Sequence, residues 1–303
     1  MTIKDTLLNI YDKQYKKLMI FSFLLLLACI VILLVSYAKT GEFFQKGVSL
    51  KGGITMTIPV NGADIHSLEQ QLSNKYPQAD ISVREITEAG RTTAIIVEAA
   101  DVTVAELQST LPTLGVPLEQ GKYSLESMGG SLGASFFSQT VKALIYAFIF
   151  MAIVVFLTFR SIIPSSFVIL AALSDIISTI AVINLIGMKM STAGIAALLM
   201  LIGYSVDTDI LLTTKVLKRK GEGGTIFQRT VGAMKTGLTM TATALVAALI
   251  GYFFTQSDTI KQIMLISIIG LCFDLIYTWF QNAGILRQYM EKKEHGQNQT
   301  NIH

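Results

Sequence analysis

Polar and apolar positions fall into two regimes along the chain. Leu18 to Ala38 is an uncharged run bracketed by Lys17 and Lys39, and about 20 helical residues at a 1.5 Å rise match a hydrocarbon core of roughly 30 Å. The run predicts a first transmembrane helix over 18–38 behind a cytoplasmic N-terminus at 1–17. A cleaved signal peptide is the rival reading, with Lys16 and Lys17 as its basic flank and Ser36-Tyr37-Ala38 as its cleavage site. The apolar run is too long for an ordinary signal core. After residue 130 the chain is almost continuously apolar, broken at Arg160, Lys189, the Lys215 to Arg229 segment, the stretch Gln256 to Lys261, and Arg287. This pattern predicts five further helices, at 137–159, 163–187, 191–213, 234–254 and 262–285, in a bundle spanning 131–290.

The interval 39–130 alternates with period two and has soluble composition. Ile54–Ile58, Ile81–Val83 and Ala94–Val97 are β-branched runs, with turns expected at Asn61-Gly62 and Ala89-Gly90. Asp64 is placed to cap a helix through Tyr76 that Pro77 stops, and Asp101 or Thr103 to cap a second through Leu111, before Pro112. A strand near Lys122 to Leu125 completes a small α+β domain of ferredoxin-like type; the pattern leaves the strand order open.

Six spans put both termini on one side. Lys4, Lys13, Lys16, Lys17, Arg160, the Lys215-Val-Leu-Lys-Arg-Lys220 cluster, Arg287, Lys292 and Lys293 then share that side, which the positive-inside rule assigns to the cytoplasm. The short loops opposite offer Lys189 and Lys261. The 39–130 domain therefore faces outward, and the Gln, Asn and Lys-rich tail 291–303, too poor in apolar surface to fold alone, is cytoplasmic.

Composition agrees: 51% hydrophobic, 15% charged and a mean hydropathy of +0.55 describe an integral protein of the cell membrane, with the lipid bilayer as its solvent. The net charge of +3 is small and no basic, aromatic-rich segment exists, so nucleic acid is excluded as a partner. Cys29 and Cys272 read as small buried hydrophobes without metal spacing, and His66, His295 and His303 as solvated residues.

Four aspartates interrupt these apolar spans. Asp175, Asp207, Asp209 and Asp274 have no neighbouring cation in sequence, and a carboxylate at the bilayer centre costs at least about 2.5–3.5 kcal/mol. Such residues face protein or water and serve as relays for protons or ions. Helical residues turn by about 100°, so Asp207 and Asp209 cannot both face one lumen; one meets the bundle axis and the other a polar neighbour. Gly203, one turn before Asp207, is expected to allow close helix packing or a small hydrated gap. Asp274, beside Cys272, Tyr277 and Trp279, is equally consistent with a packing seam bonded to Ser or Thr.

Three separated segments resemble one family. Ser127-Met-Gly-Gly-Ser-Leu-Gly-Ala134, containing Gly130, Leu132 and Gly133, is similar to the V-G-P-x-L-G entry motif of the SecD/SecF protein-export family. Gly47-Val-Ser-Leu-Lys-Gly-Gly53, with Gly47, Gly52 and Gly53, resembles its G-x-D-F-x-G-G motif, and Gly203-Tyr-Ser-Val-Asp207 its fourth-helix G-x-x-x-D. Six helices with one large outward loop is the layout of the SecF branch, and Asp207-Thr-Asp209 looks most like its archaeal form.

The resemblance implies an accessory subunit of the Sec translocase, of the wider RND superfamily. Its implied partners are a SecD-like membrane protein, the Sec channel and the translocating polypeptide. It implies no cofactor, only a proton or sodium gradient as energy source, with the ion pathway at Asp207, Asp209 beside it and Asp175 across from it. Protonation there is expected to repack the helices and move the outward domain through 39–46 and 126–132. Two departures stand out: Ser49 replaces the usual aspartate, and Ala233-Met-Lys-Thr-Gly-Leu-Thr239 lacks an arginine, leaving Lys235 as an offset relay partner. The rival functions are an RND-type exporter of lipid or small hydrophobic molecules, a non-conducting scaffold of the translocase, and an intramembrane aspartyl protease. The protease reading conflicts with Val206 before Asp207 and Ser174 before Asp175, where Tyr-Asp and Gly-x-Gly-Asp would be needed. No enzyme is expected.

Overall fold

The structure is a computed structural model describing residues 3–60, 64–88, 91–119, 121–218, 224–255 and 257–300. The turns expected at Asn61-Gly62 and Ala89-Gly90, part of the Lys215–Lys220 cluster, Gln256 and His303 lie outside them. Among the described residues six helices are long and apolar enough to cross a membrane. The chain divides into two compact units, one of residues 1–45, 143–188 and 193–303, the other of 46–142 together with 189–192.

The second unit is built on four strands, β1 (Gly53–Pro59), β2 (Ile81–Glu88), β3 (Arg91–Ala99) and β4 (Ser124–Met128), in the order β2-β3-β1-β4 with every pairing antiparallel. This is the ferredoxin-like arrangement: hairpin β2-β3 is flanked by two crossover helices that bring β1 and β4 together. Alternation along β1 places Ile54, Met56 and Ile58 in a core with Val83, Ile95 and Val97. Leu68 and Leu72 of one helix (Ile65–Lys75) and Leu107 and Leu111 of another (Val104–Thr113) close that core. Asp64 caps the first helix through the Ser67 N–H. Thr103, not Asp101, caps the second in a reciprocal box with Glu106. The Thr103 N–H and hydroxyl hold the Glu106 carboxyl below its ordinary range. Pro112 lies inside this helix near its end, because only its own missing N–H is lost there.

With the short turn Val48–Lys51 as α2, the helices are α1 (Ile3–Thr40), α3 (Ile65–Lys75), α4 (Val104–Thr113), α5 (Gly130–Phe159), α6 (Ile162–Leu185), α7 (Thr192–Lys218), α8 (Ile226–Phe254), α9 (Asp258–Ile276) and α10 (Ala283–Thr300). A π-helical turn, Tyr277–Asn282, joins α9 to α10 without a break. Several helices outrun the spans that hydrophobicity marked. Residues 3–17 are part of α1, not a separate tail, because their polar side chains are engaged by the last helix. The Tyr11 hydroxyl donates to the Trp279 carbonyl at 2.7 Å and the Tyr15 hydroxyl to Glu291 at 2.8 Å. Arg287 joins Asp12 at 2.7 Å to Glu291 at 2.8 Å and lies 4.2 Å over the Tyr15 ring. The expected unfolded tail is likewise helical as far as Thr300.

The bundle sorts its helices by burial. In the apolar windows, 56% of α6 and of α7 is buried, against 17% of α1, 11% of α5 and 17% of α8. Outward-facing Ile149, Phe150, Leu157 on α5 and Ile250, Phe253, Phe254 on α8 present the apolar surface that a bilayer solvates. Cys29 is buried, whereas Cys272 is exposed and no core residue.

Two of the family-like segments meet backbone to backbone. Gly52 has φ +88°, and a Cβ on it would lie 2.4 Å from the Gly130 Cα. A Cβ on Gly133 would lie 2.6 Å from the Gly52 nitrogen, and one on Gly53 (φ +131°) 2.5 Å from the Ala99 carbonyl oxygen. Leu132, by contrast, is exposed. Gly47 donates its N–H to Met190 at 2.8 Å, and Lys46 and Met190 form a parallel bridge, so the α6–α7 connection is a rung of this unit. Lys189 adds ion pairs to Glu98 at 3.5 Å and Asp80 at 3.9 Å. Ser49, the apparent departure, accepts the Thr192 N–H at 3.1 Å at the first turn of α7. An aspartate would do the same with a full charge. Ser49→Asp is therefore expected to raise thermal stability by about 0.5–1 kcal/mol, and Ser49→Ala to lower it by about 1 kcal/mol, in unfolding midpoints.

Candidate functional site

Three of the four aspartates come together, Asp175 from α6, Asp209 from α7 and Asp274 from α9. Asp175, Asp209 and Asp274 are each fully buried. Asp274 lies within electrostatic range of both Asp175 and Asp209. Asp175 accepts the Ser205 hydroxyl of α7. Asp274 accepts Thr278 at 3.1 Å and Thr241 of α8 at 3.4 Å, the Ser/Thr seam expected for it, and also joins the carboxyl cluster. Asp209 accepts the Asn282 side-chain amide at 2.8 Å. Among the described residues no lysine, arginine or histidine pairs with any of the three. Three neighbouring carboxyls without a cation cannot all be ionised cheaply in apolar surroundings. A carboxyl in such surroundings has the chemistry to take up and release a proton.

Asp207, on which the resemblance places the ion pathway, is not in this cluster. It is exposed on α7, as are Gly203 and Tyr204. The close packing expected at Gly203 is absent within the chain: a Cβ there would meet nothing within 4 Å. Lys235 is exposed on α8 and does not reach the aspartates as a relay partner. The packing glycines are elsewhere. A Cβ on Gly237 would lie 2.3 Å from the Trp279 ring, and one on Gly270 2.3 Å from Leu201.

Ser205, Thr241, Thr278 and Asn282 were not singled out by the sequence. Ser205 stands four residues from Asp209 inside the fourth-helix motif, which is a usable signal. Asn282 has none, since its reach to Asp209 depends on the π-helical turn, a device often found at functional sites.

Comparison with known proteins agrees with this architecture. Residues 113–292 match the family model described as protein export membrane protein SecD/SecF, C-terminal. The chain is 35% identical over 292 residues to the protein-export membrane protein SecF of Pyrococcus furiosus, covering 96% of this chain and 97% of that one. It is 40% identical over 269 residues to SecF of Methanocaldococcus jannaschii, covering 86% and 93%. The chain belongs to the SecF family of protein-export membrane proteins. Its fold is that of the crystal structure of SecDF, a translocon-associated membrane protein from Thermus thermophilus, at a TM-score of 0.75 and 15% identity over 93% of this chain. The chain spans 38% of the length of that SecDF chain.

Proposed function

We propose that the chain is an accessory subunit of the Sec translocase that acts with a SecD-like membrane protein to promote polypeptide export across the cell membrane, drawing on an ion gradient through Asp175, Asp209 and Asp274. The observation that carries the coupling is the buried carboxyl cluster, unpaired with any cation among the described residues, which a passive scaffold has no need to maintain. Nearly full-length relatives named as protein-export SecF support the export role. Both termini are cytoplasmic and the α+β domain faces outward, by the distribution of basic residues.

Asp207 gains a role in the same reading. An exposed carboxyl in a membrane helix would face lipid at high cost, so its face is one that a partner covers. Met200, Gly203, Tyr204 and Asp207 recur at helical spacing on α7 and are all exposed. The SecD-like half is their natural cover. In the test, tagged chain isolates with the SecD-like protein, and vesicles holding both export substrate faster when a proton or sodium gradient is imposed. Gly203→Phe is expected to abolish the co-isolation. Isolation as a transport-competent homodimer would favour a lipid exporter instead, and export indifferent to any gradient would leave only the scaffold.

A further inference from the structure

The two edges of the α+β sheet are guarded unequally. The strand order leaves β2 and β4 at the edges. β2 carries Arg84 and Glu85, its pairing slips in register between Ile86 and Thr87, and α3 packs against it. Charges, irregular pairing and a covering helix are the devices that keep an edge from joining another strand. β4 lacks them: Glu126 is its one charged residue, it holds no proline, and its pairing with β1 runs without a shift from Ser124 to Met128. Ser124, Leu125, Glu126 and Ser127 are all exposed. Alternation settles which backbone groups of β4 look outward, because successive residues of a strand turn their N–H and C=O groups to opposite neighbours. At one end of β3 the Ala100 N–H donates to the Asp80 carbonyl at 3.0 Å, towards β2, and at the other the Val60 N–H donates to the Thr93 carbonyl of β3 at 3.1 Å. Both bonds assign Ile54, Met56 and Ile58 of β1 to β3, and hence Gly53, Thr55 and Thr57 to β4, opposite Met128, Glu126 and Ser124. Leu125 and Ser127 then direct their N–H and C=O groups at the open edge, where no backbone group among the described residues meets them.

Such an edge takes up extended chain through main-chain hydrogen bonds, which are indifferent to side-chain identity. β4 is about 17 Å long, and pairing along it falls well short of the roughly 800 Å² a side of a lasting subunit interface. The edge therefore suits a ligand that is held briefly and whatever its sequence, an unfolded polypeptide in transit. Leu125, 38% exposed beside the same edge, offers an apolar contact to alternate side chains of the incoming strand. We propose that β4 binds an extended polypeptide as a fifth strand, paired to the outward N–H and C=O groups of Leu125 and Ser127. The inference deepens the export reading and rests on it for the identity of the polypeptide, not for the pairing.

In the test, purified full-length chain is titrated into a short fluorescein-labelled peptide of threonine, valine and serine, and into its fully N-methylated counterpart, which has no N–H to donate. Anisotropy reads binding, and residue-resolved amide exchange reads the strand edges. The expected result is saturable binding of the plain peptide, at least about tenfold weaker binding of the N-methylated one, and slowed exchange at Leu125 and Ser127 but not at Val83 on the opposite edge. Ser127→Pro removes an outward N–H and leaves the bonds to β1 in place, a position where an edge strand tolerates proline, and is expected to weaken binding at least about tenfold. Ser127→Ala keeps that N–H and is expected to bind as the unaltered chain does. No saturable binding, equal binding of the two peptides, exchange at Leu125 and Ser127 unmoved by bound peptide, or full binding by folded Ser127→Pro overturns the site. Should Ser127→Pro fail to fold, exchange in the unaltered chain decides alone. A chain that binds peptide at this edge yet does nothing for export would overturn the export reading and spare the site. Export that depends on the chain but is indifferent to Ser127→Pro would do the reverse.

Discussion

Vesicles carrying Asp175→Asn together with Asp209→Asn lose the gradient-dependent part of export and keep the gradient-independent part. The expectation follows from burial: both carboxyls are fully enclosed, each holds one hydrogen bond across to another element, and no cation among the described residues offsets them. Asparagine preserves shape and hydrogen bonding but cannot change charge. One charge moved through the membrane field is worth about 2.3 kcal/mol per 100 mV, roughly a 40-fold bias between two helix packings. Removing both exchangeable groups forfeits a bias of that order. Asp207→Asn, outside the cluster, is expected to retain gradient dependence. The measurement is export rate with and without an imposed gradient, with Trp279 emission confirming that the variants are folded. Undiminished gradient dependence in the double variant would show that these residues carry no coupling.

Gly133→Ala and Gly52→Ala are each expected to cost at least about 3 kcal/mol, on the order of a 10 °C fall in the unfolding midpoint of the α+β domain. At Gly133 a methyl group would lie 2.6 Å from the Gly52 nitrogen and 2.9 Å from the Lys51 carbonyl carbon, backbone atoms that no rotamer change can move. At Gly52 the overlap with Gly130 adds to a φ of +88°, which alone costs an L-residue about 1–2 kcal/mol. The control is Gly130→Ala, whose methyl would meet only the Lys51 oxygen at 3.8 Å and is expected to cost under about 1 kcal/mol. Protease resistance of the domain against temperature reads all three. Equal stability of Gly133→Ala and Gly130→Ala would refute the close approach.

The architecture was legible because hydrophobic length and period-two alternation survive any tertiary detail: the membrane spans and the α+β domain follow from them, and the strand order needed only the pairing itself. The aspartates were legible for the same reason, as charges out of place. Which of them meet was not. The 100° step per residue says that Asp207 and Asp209 diverge, but the choice between them is made by Asn282 on another helix, through a π-helical turn that no local pattern announces. Helix ends were missed where tertiary partners, not hydropathy, extend them, as Arg287 does for α1. Ser49 read as a departure until Thr192 supplied its partner from far along the chain.

The rung formed by Lys46 and Met190 ties a short reversal to a distant part of the chain. Because residues 189–192 fold with residues 46–142, the loop between α6 and α7 takes its shape from a long-range contact and not from its own few residues.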